Sequence, residues 1–264
     1  MSQIRQSAVA GLYYPARATE LEQILSQQLA PAPGTHSSPA RALIVPHSGY
    51  FYSGQVAAKA YSSLAALADE IDRVVLIGPS HKVDFEGVSI AESDFFATPL
   101  GNVAVAKNIL PKLSQIRGVA LSDYPHQDEH SLEVQLPFLQ YSLNQFDIVP
   151  ILTGKACPSL IADVIGTATQ DSRSLIVISS DLSHYLDYET ALKVDQFTSQ
   201  AIINLDNHEL DEAHACGSVA ISGFLEYARA EHWSGKVMSL RNSGDIAGKK
   251  DSVVGYGAYL FECA

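Results

Sequence analysis

Imidazole and thiol side chains carry the chemistry this chain could do. His47 follows the apolar run of "ALIVPHSGY" (42–50), and His81 follows that of "VVLIGPSHK" (74–82). Asp181 and His184 follow the apolar run of "LIVISSDLSH" (175–184). Neutral imidazole is a metal ligand, and its titration near neutrality suits it to general acid–base work. Taken singly, each histidine is an ordinary loop residue, and Asp181 reads as a helix N-cap. Taken together, these side chains stand at three strand ends, which is how α/β sites are built.

Two further stretches add candidates. "QDEHSLEVQLP" (127–137) places His130 at an expected helix start, with Glu129 and Glu133 spaced to share a face. "HACGSVAISGFLEYA" (214–228) places Cys216 just ahead of an apolar helix. A helix N-terminus lowers a thiol's pKa, and thiolate is the form that binds metal. Cys157 and Cys263 have no comparable setting. Metal binding through histidine and cysteine is expected to be lost from about pH 7 to about pH 5, mainly as His47 and His81 protonate.

These residues need strands to hold them. Apolar runs predict strands over 41–46, 73–78, 87–91, 147–153 and 174–180, and two late ones over 236–241 and 253–261. Helical spacing marks 19–29, 54–67, 131–141, 159–167, 189–205 and 217–228. Strands alternating with helices predict α/β architecture with a largely parallel central sheet. No helix is expected between the two late strands, so that edge is expected to be antiparallel. "APAPGTHSSPA" (30–40) reads as a linker from the first helix to the first strand, within a single domain.

Composition excludes several classes. The 264 residues are 47% hydrophobic and 17% charged, as in globular proteins. A net charge of −12 leaves no basic footprint for nucleic acid. No apolar run reaches the roughly 20 residues that span a bilayer, and the first residues lack a signal-peptide core. Three cysteines make no disulfide framework, so a cytoplasmic location is expected. No phosphate loop follows "GYFYSGQ" (49–55), and no G-x-S-x-G elbow is present.

Six motifs in order, "AVAGLYYPA", "VPHSGYFYSG", "LIGPSHK", "DEHSLEVQLPFL", "SSDLSHY" and "ACGSVAI", resemble the Memo family, with "SVVGYGAY" fitting as well. Its bacterial and archaeal members are often called AmmeMemoRadiSam system protein B. The resemblance implies a single-domain α/β/α sandwich similar to the LigB-like class III extradiol dioxygenases. It implies His47, His81 and Cys216 as candidate metal ligands, and the softness of a thiolate favours zinc, copper(I) or iron as the metal. Asp181, His184 and His130 match the family's pocket positions and are the candidate catalytic groups. The family name implies radical-SAM and AMMECR-type pathway proteins as partners, beside a small-molecule or peptide ligand. Extradiol sites use two histidines and a carboxylate. Here the matching third position is Cys216, and an oxidisable thiolate argues against simple ring cleavage. Asp181 is the alternative third ligand.

Overall fold

The computed structural model describes residues 2–29, 40–170 and 173–263. Its centre is a stack of parallel strands: β2 (Ala40–Val45), β3 (Arg73–Pro79), β8 (Asp147–Thr153) and β9 (Ser174–Ser179), in the order β8-β3-β9-β2. On one side β6 (Gly101–Val105) continues the parallel run. It forms a hairpin with β5 (Phe95–Thr98), which pairs in turn with β1 (Ile4–Arg5). β4 (Val88–Ile90) pairs antiparallel with β8 and parallel with β7 (Val119–Leu121). On the other side β12 (Val253–Cys263) lies antiparallel to β2, and carries both β10 (His184–Leu186) and β11 (Trp233–Asn242).

Alternation within each central strand builds two cores. Leu43, Val45, Val74, Leu76, Ile148, Leu152, Leu175 and Val177 face one, packed with α1 (Ala18–Gln28), α2 (Tyr50–Tyr61) and α4 (Leu136–Ser142). Ala42, Ile44, Val75, Ile77, Val149, Ile151, Ile176 and Ile178 face the other, beneath α5 (Pro158–Ala168) and α7 (Ser218–Ala230). α3 (Leu110–Leu113) and α6 (Tyr188–Ile203) complete that face. Strands apolar on both faces read as continuous hydrophobic runs, which is why the sequence shows them so plainly. The result is the expected α/β architecture with helices on both sides of one sheet.

Several boundaries differ from expectation. The late strands are antiparallel as expected, but a short helix, α8 (Ser243–Ala247), lies between them, started by an Asn242–Asp245 capping box. Residues 131–141 do not form one helix. Glu133–Gln135 make a 3-10 turn before α4 begins, and Pro137 near the start of α4 has no N–H to extend a helix back to Glu133. The N-cap of α6 is Asp187, which accepts from the Thr190 N–H, and not Asp181. Most of the expected linker, residues 30–39, lies outside the described residues. No helix among the described residues is long and apolar enough to cross a membrane.

Candidate metal centre

Parallel β2, β3, β8 and β9 end on one edge of the sheet. His47 stands two residues past β2, His81 two past β3, and Asp181 two past β9. His184 opens β10, and Cys216 lies two residues ahead of α7. His47, His81, His130, Asp181, His184 and Cys216 all line one cavity of about 620 Å³. A larger one of about 770 Å³, between the N-terminal segment and α2, shares Tyr13 with it and contains no metal-ligating cluster among the described residues.

Cys216 Sγ lies 3.3 Å from His47 Nε2. Ligand atoms of His47, His81 and Cys216 fall within 4.8 Å of one another, close enough to share one ion. The three imidazoles form a triangle. His47 meets His81 edge-on at 5.1 Å between centroids and His130 at 5.4 Å, and His81 stacks on His130 at 4.7 Å.

Each candidate ligand is fixed from behind. Glu129 Oε1 accepts from His81 Nδ1 at 2.9 Å, so His81 carries its proton there and turns its Nε2 lone pair free. The same oxygen accepts the backbone N–H groups of His130 and Ser131 at 2.9 Å, and Oε2 accepts that of His81. Burial alone would raise the Glu129 carboxyl, but these bonds, His81 foremost, bring it down to about 2. Glu129 Oε1 is thus taken up by three N–H donors, which makes this carboxylate a brace for the loop and for His81, although the ligand atoms of His81, Glu129 and His130 also fall within 4.8 Å of one another.

Asp181 is buried and equally committed. Its Oδ1 accepts the His47 N–H at 2.8 Å and its Oδ2 the Ser48 hydroxyl at 2.6 Å. It therefore holds the peptide that carries His47, and the group of ligand atoms that fall within 4.8 Å of one another includes Cys216 but not Asp181.

The thiol's setting corrects one expectation. α7 starts at Ser218, and the Gly217 N–H is taken by Ser180 Oγ at 2.9 Å. Burial first, and then the Asp181 charge, push the Cys216 thiol up to about 12, not down. Thiolate at neutral pH then requires a cation beside it. Gly217 itself is pressed on the end of β9, where an added Cβ would come within 2.7 Å of Ser180 Cβ.

The imidazoles also depart from free histidine. Burial, and then the other ring charges, hold His47 down at about 4, with Asp181 partly opposing. Burial lowers His130 as well. His47 therefore stays neutral through the pH 7 to pH 5 range in which it was expected to protonate.

The expected pairing of Glu129 with Glu133 on one face does not occur. Glu133, fully buried, turns to the opposite side, where it pairs with Arg5 and accepts from the Tyr14 hydroxyl at 2.6 Å and from the N–H groups of Ala8 and Val9. That anchor closes the N-terminal segment over the site. Its Tyr13 ring then lies 4.9 Å from His130. Glu129, Ser179 and Gln135 contribute to the site without having been singled out as site residues.

Fold and site together define an α/β protein with an imidazole–thiol cluster at the carboxyl ends of its parallel strands. The chain belongs to the Memo-like protein family, whose model matches residues 5–260. It is 36% identical to a MEMO1 family protein of Ignicoccus hospitalis, with 98% of each chain covered. It is 34% identical to a MEMO1 family protein of Aquifex aeolicus, over 98% of this chain and 99% of that one. An uncharacterized protein from Escherichia coli K12 has a similar fold, at 11% identity and TM-score 0.51, over 82% of this chain and 98% of that chain.

Proposed function

We propose that this protein is a metal-dependent enzyme whose metal is held by His47, His81 and Cys216. The observation that carries the reading is the convergence of one thiol and two imidazoles within 4.8 Å, in the lining of one cavity. The donor set suits the group. Burial favours the neutral form of His47, both imidazoles are anchored on the nitrogen away from the cluster, and a buried thiol gains from ionising beside a cation. Two nitrogens and one sulfur match zinc, copper(I) or iron. Three protein ligands also leave a position for substrate, as catalytic sites do.

A bound metal supplies Lewis acidity, or electron transfer if it is iron or copper. The chain supplies the rest. His130, stacked on His81 and braced by Glu129, holds or moves a proton at its ring nitrogen. His184, which also lines the cavity, is the second candidate acid–base group. Asp181 positions His47. A cavity of about 620 Å³ accommodates a small molecule or a short peptide segment. A thiolate ligand needs a reducing compartment, which agrees with a cytoplasmic location, and the family resemblance points to radical-SAM and AMMECR-type pathway partners.

The test is metal stoichiometry and turnover on single variants, in oxygen-uptake and hydrolysis screens. His130→Ala and His184→Ala are expected to keep the metal and lose turnover. A wild-type protein that binds metal tightly and turns over nothing with the ligands of its pathway is a carrier, and the enzyme reading then fails.

A further inference from the structure

Behind His47 lies a chain of hydrogen bonds that the ligand cluster alone does not explain. His47 Nδ1 lies 3.0 Å from Ser179 Oγ, and both residues are buried. A hydroxyl can donate to an imidazole nitrogen or accept from one, so the contact by itself leaves the tautomer open. Its other partners decide it.

Ser179 Oγ is 2.6 Å from the Ser131 carbonyl oxygen. A carbonyl only accepts, so the single hydroxyl proton of Ser179 lies in that contact. Ser179 Oγ also lies 2.8 Å from Gln135 Nε2. The amide's orientation is set independently: Nε2 reaches the Pro46 carbonyl at 2.9 Å, and Oε1 accepts from the Tyr61 hydroxyl at 3.0 Å. Pro46 offers only an acceptor, so the atom facing it is the NH2 group. Gln135 therefore donates to Ser179 and occupies one of its lone pairs. One lone pair remains, and it faces His47 Nδ1.

We infer that Ser179 is a positioning residue, one that fixes the His47 proton on Nδ1 and so turns the bare Nε2 lone pair toward Cys216 and the metal. The inference rests on the proposed metal-binding reading for its purpose, but not for its geometry. Tyr61, Gln135 and Ser179 form a relay whose every proton is assigned, and its last member can only accept from the ring. Were the proton on Nε2, two lone pairs would meet at 3.0 Å behind His47, and the nitrogen facing Cys216 could not ligate. Ser179 thus serves His47 as Glu129 serves His81, with a neutral acceptor in place of a charged one. The relay also ties His47 to the loop that carries Glu129 and His130, because Ser131 donates its own N–H to Glu129.

The experiment is nitrogen-15 NMR of the metal-free, histidine-labelled full chain, read beside zinc affinity by competition titration. Wild type is expected to show His47 protonated on Nδ1. Ser179→Ala is expected to shift it toward the Nε2–H tautomer and to weaken zinc binding by about 10- to 100-fold, the usual effect of losing such a partner. Ser179→Thr, which keeps the hydroxyl, is expected to restore both. A merely structural role for Ser179 would not move the tautomer. Wild type with His47 protonated on Nε2 overturns the inference with no variant needed. So does a folded Ser179→Ala protein with unchanged tautomer and unchanged affinity. A wild type that shows the Nδ1–H tautomer, loses it in Ser179→Ala, and binds no zinc upholds the positioning role and sinks the metal-binding reading instead.

Discussion

Glu129 Oε1 stands 2.9 Å from His81 Nδ1 while also accepting the backbone N–H groups of the next two residues. One carboxylate thus orients a candidate ligand and folds the loop beside it. Replacement by glutamine keeps the shape but turns one acceptor oxygen into an NH2 group, which then faces N–H donors. Glu129→Gln is expected to lower metal affinity by about 10- to 100-fold, the range for lost partners of metal ligands. Competition titration measures it. An affinity equal to wild type would mean that His81 does not need this brace.

Removal of a ligand should exceed removal of a neighbour. His47→Ala, His81→Ala and Cys216→Ser are each expected to weaken metal binding by more than about 100-fold, beyond the range for lost outer partners. His130→Ala and His184→Ala should stay within about tenfold, because neither is a proposed ligand. Equilibrium dialysis with elemental analysis gives the order, and loss of binding in His184→Ala with retention in His47→Ala would reverse the assignment.

His47, His81 and the Asp181–His184 pair are legible because each follows an apolar run. β2, β3 and β9 are buried on both faces, so their ends stand out as abrupt changes of character. Glu129, Gln135 and Ser179 were not legible as site residues, because their roles arise between segments far apart in sequence. Gln135 lies in a 3-10 turn, where helical phase is lost. For the same reason Glu129 and Glu133, read as neighbours on one helical face, point to opposite jobs. β1, β5, β6, β7 and β10 are not legible because strands of two to five residues that are not continuously apolar carry few alternations to read, whereas three-residue β4 is buried throughout. The thiol's pKa was misjudged because the sequence shows a helix start but not the burial of Cys216 or its neighbour Asp181.

Metal binding should release one proton across neutral pH. His47 is neutral well below pH 7, and the Cys216 thiol, at about 12 without a cation, must ionise to ligate. Affinity should therefore rise about tenfold for each pH unit between roughly pH 7 and pH 9. Isothermal titration calorimetry in buffers of different ionisation enthalpy counts the proton. Cys216→Ser should release none, and an equal release from that variant would remove the thiol from the ligand set.

Acid stability of the metal-free protein has a calculable sign. Burial lowers both His47 and His126 to about 4, so the unfolded chain binds protons first, between about pH 6.5 and pH 4. Each group then withdraws up to about 3 kcal/mol as pH falls through that window. Asp195, raised to about 6 by burial, acts oppositely between pH 6 and its unfolded value, and offsets about one histidine. The net expectation is a loss of a few kcal/mol by pH 4, with Glu129 adding to it below about pH 4.5. Urea unfolding across pH shows the slope, and His126→Gln should flatten it by about one histidine's share. A stability that rises on acidification from pH 6.5 to pH 6, where the two histidines outweigh the single opposing Asp195, would contradict the buried neutral imidazoles.

X-ray absorption spectroscopy of the zinc-loaded protein tests the central claim most directly. The account predicts one sulfur at about 2.3 Å and imidazole nitrogens at about 2.0–2.1 Å, with the sulfur shell lost in Cys216→Ser. A wild-type spectrum fitted by nitrogen and oxygen alone would contradict it.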